Sequence, residues 1–162
     1  MFAKAEKSTF PYWFAHVLAY NMTALNVKSW KFKYLFHDIE KPFLKLFMPY
    51  EKVRNRHRTN HNHHPEWLEN RLKKVELLYG CVNNDDVKYL LDRFDFQGAI
   101  IDWECSRFTK EDQPLNAHDE YKRLLTYNNF KEKYPFITKY CYNEFSKRLM
   151  DAIKKLGLEN ND

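Results

Sequence analysis

The sequence predicts an all-α fold, a single-domain helical bundle of roughly six to eight helices. Three observations predict it. Apolar residues recur at helical spacing almost everywhere along the 162 residues. Glycine occurs only 3 times, too rarely for a turn-rich β-sandwich or a glycine-rich nucleotide loop. Aromatic residues make up 17% of the chain, which favours a packed globular protein over a disordered one.

Each element has a local reason. Thr9 is placed to cap a first helix with Pro11 in its first turn, carrying Phe14, Val17 and Leu18 to about Met22, with His16 inside it. A second helix starts at Asn26 and carries Val27, Trp30, Tyr34 and Leu35. Pro42 discourages helical continuation at Lys41, so His37 and Asp38 are expected in the last turns of that helix. Residues 43–62 read as helix split by Pro49, with His57 in the second part, roughly 50–61. Pro65 pushes His64 toward an extended conformation and opens a helix over 65–79, which Gly80 ends. After the polar VNNDD loop, Asp85 or Asp86 is expected to cap a helix reaching about Phe108 with Leu90, Leu91, Phe94, Ile101 and Asp102 on it. TKEDQPLN forms a flexible loop, and Ala117–Tyr127 and Pro135–Leu156 give two further amphipathic helices that stop at Gly157. The chain thus reads as one domain over 1–162, with a chemistry-bearing core over 10–108 and C-terminal helices over 115–157.

Bulk properties bound the function. No run approaches the ~18 apolar residues of a membrane span, and MFAKAEKSTFPYW has no apolar segment followed by a cleavage site, so a cytoplasmic protein with no membrane partner is expected. Cys81, Cys105 and Cys141 are odd in number and far apart, which fits a reducing compartment and excludes a cysteine-rich zinc module. The net charge of +5 suits a small anionic, phosphate-containing substrate and equally a solvated basic surface with no partner, so charge alone does not decide between them. Weak nucleic-acid contact is compatible with it, although no RNP-like run or helix-turn-helix occurs. The many aromatic residues of a small helical chain are compatible with a homodimer.

Chemistry concentrates in HDIEKP, residues 37–42. A neutral imidazole and a carboxylate make a mixed N/O site for a divalent transition metal, with Zn, Mn, Fe, Co and Mg not distinguished by sequence. Other candidate ligands follow in order: His16 upstream, then His57, His63 and His64, then Asp102, whose neighbours Ile101 and Trp103 imply a partly buried face. Asp38 can bridge two ions, with His16, His37 and Asp102 on one and His57, His63 or His64 on the other. Lys41 and Arg107 are the candidate phosphate contacts. His57 and His61 are spaced i, i+4, but Arg58 stands where a zinc peptidase needs Glu. His118, in NAHDEYK, lacks ordered partners and is expected to be exposed.

The order His16, His37-Asp38, His57, His63-His64, Asp102 resembles the HD-domain superfamily of metal-dependent phosphohydrolases, and HDIEKP is similar to the HDIGKP form of several of its branches. HHPEW followed by a helix bearing DWE resembles, more narrowly, a group of small phage and bacterial proteins of undefined function. The resemblance covers roughly residues 10–108. It implies an HD-like helical fold, one or two divalent ions and hydrolysis of a nucleotide or related phosphate ester through a metal-activated water. Four departures stand out. The interval between His57 and His63 is short compared with that of the two-metal branches. No Gly-Tyr-Pro element of the cyclic-dinucleotide phosphodiesterases follows HHPE; Glu40 replaces the usual Gly and is expected to face solvent; Lys41 stands where one nucleotidase branch has a catalytic Glu. Two other functions fit the same residues: a metal-stabilised helical module that binds a protein or nucleic acid without catalysis, and a di-iron oxygenase.

Overall fold

A computed structural model describes residues 9–110, 115–126 and 130–159. Among these the chain is all helix and turn, with ten α-helices and one 3₁₀ helix and no strand. Tyr127 and residues 111–114 of the TKEDQPLN loop lie outside the described residues.

Helix α1, Phe10–Asn26, begins where the Thr9 side chain accepts from the Tyr12 N–H and Pro11 occupies the first turn. It runs four residues past the expected end, and Lys28, in the left-handed region at φ 53°, turns the chain away. No helix follows from Asn26. The next element is a five-residue 3₁₀ helix, Phe32–Phe36, and His37 and Asp38 lie in the turn after it. The reason is a competing set of bonds. The Asn21 amide on α1 donates to the Tyr34 carbonyl at 2.9 Å and accepts from the Trp30 indole at 2.8 Å, holding residues 30–34 as a strap across α1. Asp38 then adopts φ 60°, a left-handed geometry that breaks any helix through it.

Short α2, Glu40–Leu44, leads to α3, Tyr50–Asn60, which starts after Pro49 as expected. His64 is extended at φ −109°, ψ 135°, Pro65 opens α4, Pro65–Tyr79, and Gly80 ends it at φ 77°. The expected helix to Phe108 is two helices. A capping box between Asn83 and Asp86 starts α5, Asn84–Arg93, and Asp95 caps α6, Phe96–Thr109, by accepting from the Gly98 N–H at 2.9 Å. The break is anchored by Asn62, whose carbonyl accepts from the Asp95 N–H at 2.8 Å and whose amide donates to the Arg93 carbonyl. The C-terminal third comprises α7, Ala117–Thr126, α8, Phe130–Lys133, α9, Pro135–Tyr140, and α10, Tyr142–Lys155, with Gly157 at φ 66° after it. Pro135–Leu156 is therefore interrupted at Cys141, which leaves helical geometry at φ −151°.

α6 is the central helix, packed against α1, α7 and α10. Buried residues occur around its whole circumference, among them Gly98, Ala99, Ile100, Ile101, Glu104 and Cys105, which is the pattern of an interior helix. Leu68 and Leu72 of α4 and Phe145, Leu149 and Ile153 of α10 complete one continuous core. No helix among the described residues is long and apolar enough to cross a membrane.

Candidate metal centre

The fold brings His16, His37, Asp38, His57, His63, His64 and Asp102 together from separate elements. His16 projects from the α6-facing side of α1 and Asp102 from α6, and they meet at 3.1 Å from Nε2 to Oδ1. The His16 Nδ1 faces the Cys105 Sγ at 3.7 Å, and that thiol also lies 3.2 Å from the Asp102 carbonyl. His37 stacks flat on Tyr20, with ring centroids 3.8 Å apart, and its Nε2 lies 3.7 Å from Asp102 Oδ1.

Asp38 stands between two groups of imidazoles. Its Oδ1 is 2.8 Å from His57 Nε2 and 3.6 Å from His37 Nε2, whereas Oδ2 faces His16 Nε2 at 3.5 Å and the Lys41 ammonium at 2.5 Å. The left-handed turn at Asp38 is what lets it and His37 face one point, since neighbours on a helix diverge by about 100°. His57, His63 and His64 form a second buried group, each offering a nitrogen within 4.8 Å of the others, and His16, His37 and Asp38 form another. These groups can hold a metal ion. His63 and His64 occupy the turn between α3 and α4, whose position Asn62 fixes against the α5–α6 break.

Buried polar atoms in folded proteins nearly always find a partner. Here Nε2 of His37, His63 and His64 is buried with no hydrogen bond from the protein, and buried His57 Nε2 and Asp38 Oδ1, 2.8 Å apart, have only each other. Such atoms around one spot fit the donor set of a cation with borderline N/O preference. The electrostatics agree. Burial, aided by the charge of His37, pushes His63 down to about 3, and burial next to His63 holds His64 well below its ordinary value, so both are neutral bases. Burial raises Asp38 and Asp102, yet the imidazoles beside them, with Lys41 at Asp38, outweigh it and hold both carboxyls well below the usual range. The centre presents two carboxylates and the neutral imidazoles of His63 and His64 to any cation.

Glu40 does not face solvent. Its Oε1 lies 3.1 Å from His57 Nδ1 and 3.0 Å from His61 Nε2, and the two rings stack at 4.2 Å. With Nδ1–H donated to Glu40, His57 presents Nε2 inward, the arrangement by which a carboxylate fixes the tautomer of a metal-binding imidazole. His61 meets the centre through Glu40 and through the face of His57. The sequence signal was the carboxylate itself, two residues after Asp38 at the start of α2.

Two cavities meet at Tyr12, His16, Lys41 and Tyr50. One, of about 350 Å³, is walled by apolar groups including Phe10, Trp13 and Leu46. The other, of about 470 Å³, passes His57, His64 and Asp102 and is lined by Lys41, Arg54, Arg58, Lys110, Arg123 and Lys133, with Glu51 and Glu120 among them. Arg107 is not brought there. Its guanidinium pairs with Glu104 at 2.9 Å and covers the Phe108 ring. His118 is half-buried, not exposed, and belongs to no candidate metal-binding group among the described residues. The five basic residues other than Lys41 were not singled out from sequence, and Arg123 and Lys133 come from the C-terminal third, where no chemistry was expected. Comparison with known protein families, with curated proteins and with solved structures finds no match for this chain.

Proposed function

We propose that this protein is a metal-dependent phosphohydrolase of HD type, acting on a nucleotide or a related phosphate ester. The observation that carries the reading is the set of buried imidazole nitrogens and carboxylates, three of the nitrogens with no hydrogen bond, beside a cleft lined by six basic side chains. His16, His37, Asp38 and Asp102 would hold one divalent ion and His57, His63 and His64 a second, with Asp38 shared. When bound, such ions supply a nucleophile from water at neutral pH and neutralise charge on the phosphoryl oxygens.

The rest is done by the chain. Lys41, on the rim of both cavities, binds a phosphoryl oxygen and keeps Asp38 ionised. Arg54, Arg58, Lys110, Arg123 and Lys133 draw the anionic end of the substrate into the polar cavity. Tyr12, Trp13 and Tyr50 offer aromatic faces to its organic group in the apolar one. Glu40 holds His57 in the tautomer with Nε2 toward Asp38.

The test is phosphate release from nucleoside mono-, di- and triphosphates and simple aryl phosphates, with Mn²⁺ or Co²⁺ added. Wild type should hydrolyse at least one of them, and Asp38→Asn and Asp102→Asn should each lower kcat by on the order of 10³-fold or more, the scale of losing a metal's charge stabilisation. Activity surviving in both variants would overturn the assignment, as would no release from any ester by a protein that demonstrably holds metal.

A further inference from the structure

We infer that the outer face of α1 is the surface on which a second copy of this chain docks, the two α1 helices running antiparallel across a two-fold axis at Leu18. Phe10, Phe14, Leu18, Met22 and Leu25 recur every three or four residues, so they form one stripe, opposite the buried residues Ala15, Ala19, Thr23 and Ala24. All five are between 44% and 63% exposed. The stripe does not end with the helix. Asn21 straps residues 30–34 against α1, which brings exposed Phe32, Leu35 and Phe36 beside it. At the other end, Phe10 and Leu46 share the wall of the apolar cavity.

Area argues for an interface. The five stripe residues, with Phe32, Leu35 and Phe36 of the strap, are between 44% and 67% exposed. At ~200 Å² for each fully exposed residue, about half of that surface uncovered on each gives roughly 800 Å². The largest apolar patch of an ordinary monomer is ~300–600 Å², and a stable interface needs ~800 Å² per partner. Charge argues for the occupant. From Phe10 to Asn26 there is no Asp, Glu, Lys or Arg, the depletion found at the centre of homodimer interfaces. A helix lying in a membrane surface carries Lys or Arg along its polar side; α1 has none, and its other side is packed on α6.

The stripe is also complementary to itself. Turned about Leu18, Phe14 falls opposite Met22 of the partner subunit, while Phe10 falls opposite Asn26 of the partner subunit, one residue beyond the partner's Leu25. Each two-fold-related pair occurs twice, as an isologous interface requires. Because Phe10 also lines the apolar cavity beside His16, the partner would close one wall of that cavity.

The test is solution mass of the untagged full chain by light scattering or sedimentation equilibrium. The expected mass is twice 19.9 kDa, falling to one chain in Leu18→Asp with helicity by circular dichroism unchanged. Leu77→Asp, on the exposed end of α4, should leave the dimer intact. Phe14→Lys and Met22→Asp should each be monomeric alone and recover a dimer when mixed, which tests the register itself. A wild-type monomer would overturn the proposal, as would a dimer that survives Leu18→Asp. A monomer that sediments with phosphatidylglycerol vesicles through this face would overturn it too and assign the face to lipid.

Discussion

Asp38 carries more of the centre than any other residue, and its backbone explains how. A non-glycine residue at φ 60° holds an uncommon conformation, and such conformations persist where the surroundings impose them. Here they turn one carboxylate so that its two oxygens face different imidazole groups. Glu40 acts one step removed. Glu40→Gln keeps the size but weakens the hold on His57 Nδ1, and metal affinity measured by chelator competition should fall by about 10–100-fold with helicity unchanged. An affinity equal to wild type would show that His57 needs no orienting partner. The buried imidazoles set the pH dependence of the metal-free protein. Unfolded histidines take up protons near pH 6.5, whereas His63 refuses one until about 3 and His64 until well below its ordinary value. Between those limits the unfolded state binds more protons, so stability falls as the pH falls. Urea midpoints of the metal-free protein should drop steadily from pH 7 to pH 5; a flat profile would mean that these rings are hydrated and protonate freely in the fold.

At the level of elements, breaks matter as much as helices. The α5–α6 break places Asp102 on a helix whose start is capped by Asp95 and tied to Asn62, one residue from His63. Gly98 leaves room for that cap, because a Cβ on it would lie 2.9 Å from the Asp95 carboxyl and force it to shift. Gly98→Ala should destabilise the protein by about 1–3 kcal/mol in urea unfolding, the scale of an overpacked site that also disturbs a cap. Unchanged stability would show that Asp95 can move aside freely. Which elements were legible in the sequence follows from the same physics. Helix ends at Pro65, Gly80 and Gly157 were readable, since each residue fixes or frees φ by its own covalent structure. The breaks at Asp38 and Asp95 were not, because they rest in part on contacts made across the fold, and Cys141 carries no break signal in its residue type. The candidate ligands were readable as residue types in order. Their convergence was not, nor was the turn of Glu40 toward His57, nor the contribution of Arg123 and Lys133 from the C-terminal helices to the cleft.

At the scale of the whole molecule, an uneven surface accompanies the buried centre. Basic side chains gather along the polar cavity, and a field of that kind is screened by salt over about 10 Å at 0.1 M. For an anionic substrate, raising ionic strength should increase KM several-fold while kcat changes little; a salt-independent KM would remove those residues from substrate capture. Everything proposed of the chemistry nevertheless rests on one claim, that the buried imidazoles and carboxylates hold metal. The most direct measurement is elemental analysis of metal per chain on untagged protein purified without chelator, for wild type and for His37→Ala/Asp38→Ala. The account predicts one or two transition-metal equivalents in wild type, lost in the double variant while helicity is kept. No metal in wild type even after reconstitution, or equal metal in both proteins, would contradict it.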